Sequence, residues 1–337
     1  MKKFIIGLVC LTLLVSVTAC GGGSSPSASQ TPAPSNEQAA TQEAPADASG
    51  ANITIGYACA DLNNTFQTYL VDAARNFADA NGVGLTVTDA QQDVIFQQNQ
   101  VETMIQNNIS ALVVSPSDTS AMGPVTNVAL GANVPLVYVN SNPYTDSDMP
   151  AGVYYVGSLE TTGGRLQMEK AGELMSGEGN VFILIGDPGY EASRQRTEGV
   201  KEIIAEKYPN IKVVSEEVAD WQREKAVTVT ENWLTAHGDN VNAIIANNDE
   251  MALGAIQALT AAGRSDVIVI GIDAIPDAVK AIEAGTMAAS VFQDAAGQAG
   301  GAMQVALDVL NNNPPSEQIL WVPFILVDEK NFREYLD

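Results

Sequence analysis

The chain predicts an α/β protein of two consecutive units, each a doubly wound parallel sheet with helices on both faces. Three observations carry this. Apolar runs of strand length alternate with helix-period segments from residue 53 to residue 293, and alternation of that kind implies a parallel sheet. Strand after strand ends on amides and carboxylates where the next helix begins, which collects polar groups at one edge of each sheet. At 337 residues the chain also exceeds one typical domain and has ample apolar content for two cores.

The first residues stand outside this pattern. Lys2 and Lys3 precede an apolar run from Phe4 to Val17 that is too short for a spanning helix, so residues 1–19 read as an export signal. Val17-Thr18-Ala19-Cys20 resembles the lipobox of bacterial lipoproteins, in which the signal is cut before the cysteine and the thiol is acylated. Cys20 is therefore the expected lipidation site. Gly21 to Gly50 is rich in Gly, Ser, Pro, Ala, Gln and Thr without apolar periodicity. Such a segment buries too little surface to offset its ordering entropy, so residues 20–51 are expected to form a flexible tether.

The folded part opens with a strand at Ile53–Tyr57. Helix Phe66–Asn81, strand Leu85–Asp89, helix Val94–Asn107, strand Ala111–Ser115, helix Ser120–Leu130 and strand Pro135–Val139 follow. In the second helix Val94, Val101, Met104 and Ile105 make a helical stripe. After strand Val153–Gly157 a second series runs: helix Gly164–Met175, strand Val181–Gly186, helix Ser193–Tyr208, strand Ile211–Glu217 and helix Glu224–Ala236. It closes with two apolar strands, Ala243–Ala246 and Val267–Asp273. The first stops at Asn247-Asn248-Asp249-Glu250, where Asp249 is placed to cap a helix with Met251, Ala252, Ala255 and Ala258 on its apolar face. The second ends on Asp273, and Pro276 opens another helix.

Composition excludes several functions. With 16 basic and 40 acidic residues the net charge is −24, which argues against nucleic acid or an anionic membrane surface as partner. Of three cysteines, Cys10 leaves with the signal and Cys20 carries lipid, so Cys59 stands alone and no disulfide is available. His237, the one histidine, makes a metal site or a Ser/His/Asp triad improbable, and no cofactor is expected. No Gly-rich phosphate loop of the required spacing occurs.

The polar strand ends suggest a ligand instead. Asp61 to Gln67 offers amides and the ring of Phe66; Asn140-Ser141-Asn142 ends a later strand; Asp187 to Arg196 carries two arginines; Ala219-Asp220-Trp221 puts an indole before a helix. Amides and carboxylates bond hydroxyls in pairs, and aromatic rings cover the C–H faces of a sugar, so the set suits a neutral polyhydroxylated ligand. Each residue also has a plainer reading as cap, core residue or surface ion pair.

Leu62 to Phe66, Arg194-Gln195-Arg196, Asn247 to Gly254 and Gly271-Ile272-Asp273 together resemble the periplasmic sugar-binding proteins of ribose, galactose and inositol type, the substrate receptors of ABC importers. The resemblance covers roughly residues 52–330. It implies two lobes joined by three crossings of the chain and closing on one monosaccharide or cyclic polyol. The lobes would be 52–157 with 294–322, and 158–293 with 323–337. Asn64, Phe66, Gln67, Asn140 and Ser141 would contribute ligand contacts from the first lobe. Arg194, Trp221, Asn248 and Asp273 would do so from the second, with Gln293 near a crossing. The likeness further implies ABC permease subunits as partners, a monomeric receptor and membrane attachment through the lipid alone. Gln67 stands where the ribose type has a second aromatic, and Ser141 departs from both ribose and galactose types, so the sugar stays open. No calcium loop matches.

Three rivals remain at this point. LacI-type repressors share the lobes but carry a helix-turn-helix where this chain has a signal and tether. An enzyme would need a nucleophile with an adjacent base, which is absent. A receptor that presents a sugar-like signal to a chemotaxis or sensor protein would use the same fold.

Overall fold

The computed structural model describes residues 53–144 and 148–336; the expected signal, the expected lipidation site Cys20 and the expected tether lie outside them. Residues between 53 and 157 lay down five strands, β1 (Thr54–Cys59), β2 (Gly84–Asp89), β3 (Ala111–Val114), β4 (Leu136–Val139) and β5 (Val153–Gly157). Helices α1 (Thr65–Asn81), α2 (Val94–Gln106) and α3 (Gly123–Gly131) return the chain between them. Because β1, β3 and β4 have neighbours on both sides and helices on both faces, their side chains are buried almost without exception.

The second series gives α4 (Glu160–Leu174), β6 (Glu178–Ile185), α5 (Glu191–Lys207), β7 (Asn210–Val218), α6 (Arg223–His237), β8 (Ala243–Ala246), α7 (Asp249–Ala261), β9 (Ile268–Asp273), α8 (Pro276–Glu283) and β10 (Ala289–Phe292). The chain then makes α9 (Ala295–Leu310) and two short strands, β11 (Ile319–Trp321) and β12 (Ile325–Asp328). β11 joins the first sheet, order β11-β5-β4-β3-β1-β2, and β12 joins the second, order β12-β10-β9-β8-β6-β7. All pairings are parallel except β10 with β12. The α/β fold with two doubly wound lobes therefore holds, and the chain crosses between sheets at 158–159, 293–294 and 322–324.

Each sheet has an apolar core on both faces. Tyr57, Leu70 and Val113 pack with Ala302 and Met303 of α9 on one face of the first, and Met104, Leu112 and Tyr138 fill the other. In the second sheet Phe182, Trp233 and Ile244 face one way, Ile183, Ile203 and Ile245 the other.

Local chemistry shifts some expected boundaries. The helix expected over 120–130 is broken into a 3₁₀ turn, Thr119–Ala121, and α3, because Pro124 lacks an N–H and starts a helix rather than continuing one. α4 begins at Glu160, before Gly163-Gly164, rather than at Gly164. These glycines mark a close approach: a methyl on Gly164 would overlap the backbone carbonyl of Arg196 in α5. Asp249 does not cap α7. Asn248 does, its Oδ1 accepting from the Met251 amide at 3.0 Å, while Asp249 is fully buried.

Candidate functional site

Parallel strands present their carboxyl ends at one edge, and in both sheets that edge faces the other lobe. The loops after β1, β4, β6, β7, β8, β9 and β10 therefore meet in one cleft. It encloses about 360 Å³ of space not filled by atoms, counted out to its mouth.

From the first lobe, Asn64, Phe66, Gln67, Asn140 and Ser141 line the cleft. Asn64 caps α1 with its Oδ1, which accepts from the Phe66 and Gln67 amides at 3.0 and 3.3 Å, so its amide N–H₂ is the group left for other work. Gln67 donates to Asn140 Oδ1 at 3.1 Å and accepts from Ser115 at 2.7 Å. Asn140 in turn donates to Gln298 Oε1 at 3.2 Å, and Gln298 donates to Ser158 Oγ at 3.0 Å. A buried row of amides thus runs from the middle of the first sheet to the first crossing. Ser141 Oγ is buried with no partner in the protein.

From the second lobe come Trp221, Asn248 and Asp273, with Gln293 at the second crossing. Trp221 stands edge-on to Tyr190, ring centroids 5.9 Å apart, and rests on Gly186, where a side chain would collide with the indole. Its Nε1 is buried without a partner, as is Gln293 Nε2. Asn248 is both cleft wall and helix cap, and its Nδ2 reaches the Trp221 carbonyl at 3.4 Å. Asp273 does not cap α8, whose cap position is Ile275 and carries no side-chain bond. Backbone strain gathers at the same place: φ is 69° at Asn140, 64° at Trp221 and 124° at Asp273. Left-handed backbone at non-glycine residues costs about 1–3 kcal/mol each and clusters at functional sites.

Arg194 is not among the residues that line the cleft. Its side chain is exposed at the cleft's outer edge, donating to the Pro188 carbonyl at 2.6 Å and reaching Thr119 at 3.5 Å. The arginine in the cleft is Arg196. Residues two apart on a helix point to nearly opposite sides, and Arg196 shares the buried stripe of α5 with Val200 and Ile203. That i, i+4, i+7 spacing is the signal in the sequence that separates the two. Tyr190 and Ala192 also line the cleft and were not expected there; a tyrosine just before a helix, at a strand's carboxyl end, is the one cue for the former.

Charges inside are sparsely compensated. Arg196 is 3% exposed and donates to Glu160 at 2.6 Å, to the Asn247 carbonyl at 2.7 Å and to Gln293 Oε1 at 2.9 Å. Burial works against its charge, but Glu160 and Asp273 outweigh that and raise its pKa. Burial also pushes the Asp273 carboxyl well above its usual range, with Arg196 opposing and Asp249 and Glu160 adding to the rise. Asp249 is pushed up to about 7 by burial, although Ser290 Oγ and the Ile275 amide bond it at 2.7 and 2.9 Å. Glu191, raised to about 7 by burial and then by Glu160, accepts from the Asn142 amide at 3.0 Å across the cleft.

That contact is one of a set that holds the lobes together. Thr65 donates to Glu250 at 2.9 Å and Gln92 to Asp187 at 3.1 Å, each from first lobe to second. Two doubly wound lobes, three crossings and a polar cleft lined from both sides define the two-lobed solute-binding fold.

Known proteins agree. Residues 55–314 match the periplasmic binding protein domain family, and the chain belongs to that family. It is 39% identical over 286 residues to a putative rhizopine-binding protein of Rhizobium meliloti, covering 84% of this chain and 92% of that one. Identity to the ribose import binding protein of Escherichia coli K12 is 36% over 244 residues, covering 71% and 79% of the two chains. An ABC transporter solute-binding protein of Bacillus halodurans C-125, solved with bound myo-inositol, superposes with a TM-score of 0.78 at 36% identity, over 86% of this chain and 99% of that one.

Proposed function

We propose that the protein is an extracytoplasmic solute-binding lipoprotein that captures a monosaccharide or cyclic polyol between its lobes and delivers it to an ABC-type importer. The observation that carries this is the set of cleft groups left without protein partners, Ser141 Oγ, Trp221 Nε1 and Gln293 Nε2, beside the Asp273 carboxylate. Hydroxyls on a ring accept from such donors and bond such a carboxyl group, and a buried polar group left unpaired costs about 1–3 kcal/mol. The aromatic rings of Phe66, Tyr190 and Trp221 suit the C–H faces of that ring. Relatives described as binding ribose, xylitol and myo-inositol support the same class.

The same reading takes residues 52–157 with 294–322 as one closing jaw and 158–293 with 323–337 as the other. Cys20 is the lipid anchor, the receptor works as a monomer, and it binds without chemistry. A thermal-shift screen over pentoses, hexoses, pentitols and inositols tests it. Ligand at a hundred times its dissociation constant stabilises the folded state by about 2.7 kcal/mol, so a true ligand raises Tm by several degrees. If no compound in those four classes moves Tm, and calorimetry at millimolar concentration shows no heat, the ligand class is wrong.

A further inference from the structure

Arg196 occupies an unusual position: its guanidinium touches residues of the second and third crossings and the residue that follows the first. Glu160, which accepts from Nε at 2.6 Å, is the first helical residue after the first crossing. Gln293, which accepts from Nη2 at 2.9 Å, is in the second crossing. Phe324, whose ring centroid lies 5.8 Å from the guanidinium carbon, is in the third. The remaining bond, from Nη1 to the Asn247 carbonyl at 2.7 Å, ties the group to the end of β8. On its cleft side the same guanidinium lies 5.9 Å from the Trp221 ring. The third crossing is also tied to the end of β5, the Val322 amide donating to the Gly157 carbonyl at 2.7 Å.

We propose that Arg196 is a positioning residue that clamps the three crossings and so sets how freely the lobes open, in addition to any contact it makes with ligand. A planar fork of fixed geometry is suited to this. It holds Glu160 and Gln293 at set angles to each other while its face takes Phe324, which a lysine's single ammonium could not do. The clamp also couples the cleft to the hinge, because Gln293 accepts from Arg196 with Oε1 and leaves Nε2 for the cleft. A ligand that draws on Gln293 or Asp273 thereby acts on the group that fixes the crossings. Opening moves the crossings against one another, and the contacts of Arg196 with Gln293 and Phe324 resist that.

Hydrogen exchange without any sugar separates this role from its alternatives, and the test does not depend on the ligand assignment. Peptides spanning 157–162, 291–295 and 320–325 report the crossings; peptides from β6 and β8 report the second core. In Arg196→Lys and Arg196→Met the crossing peptides should exchange faster together, by about tenfold, while the core peptides change by less than about twofold. Two results overturn the proposal. If crossing exchange is unchanged and only affinity for myo-inositol or ribose falls, Arg196 is a ligand contact alone. If crossings and core strands accelerate equally, its role is general stability. Should Arg196→Met fail to fold, Arg196→Lys and Glu160→Gln, which removes one arm of the clamp, carry the same comparison.

Discussion

At the scale of single residues, the two roles open to Asp273 now separate. It ends β9 with φ of 124° and caps nothing, so its carboxylate is held in the cleft at a cost that helix capping does not explain. A buried polar group left without its partner costs about 1–3 kcal/mol, so Asp273→Ala should weaken binding of whichever sugar the screen identifies by at least about tenfold. Melting temperature should hold or rise, since a desolvated carboxylate is removed. Calorimetry on the folded variant checks this, and an unchanged dissociation constant would remove Asp273 from the site.

Glu191 supplies a prediction about pH. Its folded-state pKa is raised to about 7, chiefly by burial, whereas unfolded it titrates near about 4.3. Between these values the folded protein holds a proton that the unfolded chain has released, so this group's contribution to stability falls as pH rises through that window and is level outside it. Glu191→Gln still offers an oxygen to the Asn142 amide but cannot ionise. Melting curves at pH 5 and pH 8 should therefore show a larger loss for wild type than for Glu191→Gln. Equal losses would mean that Glu191 is not held above its ordinary range.

At the scale of elements, Asn248 joins two functions in one side chain, opening α7 and lining the cleft. Loss of such a cap costs about 0.5–2 kcal/mol, so Asn248→Ala should lose stability in urea and affinity for the sugar together. Asn248→Asp, which still caps and adds a favourable charge at the helix N-terminus, should keep the stability and lose only affinity. Full affinity in both variants would reduce Asn248 to its capping role.

Alternation of strand and helix was legible because buried parallel strands read as apolar runs and their helices carry stripes. Asn248 and Asp273 were legible as cleft residues because both stand at a strand's carboxyl end. Arg196 was not singled out, because separating it from Arg194 requires following the apolar stripe of α5 from Val200 and Ile203 back into its first turns, where the residues are polar. β11 and β12 were also missed: with three and four residues each, they are defined by the sheets they join rather than by any pattern of their own.

For the whole molecule, the proposed anchor predicts that anchoring and folding are separable. Cys20→Ser should move the protein from the membrane to the soluble fraction with sugar affinity unchanged. Persistent membrane association, with no acyl chain on the wild type by mass spectrometry, would contradict the lipoprotein assignment. Cys59 behaves differently: it is buried and burial pushes its thiol up to about 12. An alkylating reagent should therefore reach it only on unfolding, read by peptide mapping.

The interleaving of the lobes governs the order in which the chain finishes. α9 supplies Ala299, Ala302, Met303 and Ala306 to the core of the first sheet, and β11 pairs along β5, yet both are made after β10. The lobe that leaves the ribosome first is thus the one completed late: up to residue 293 it lacks one of the two helices on one face, which α1 covers only in part, and the strand guarding one edge. During that interval nearly the whole second lobe has been synthesised beside it, wanting only its last short strand and the residues after it. A nascent chain stalled there exposes an apolar face and a bare edge, the features that chaperones hold and that aggregate when unguarded.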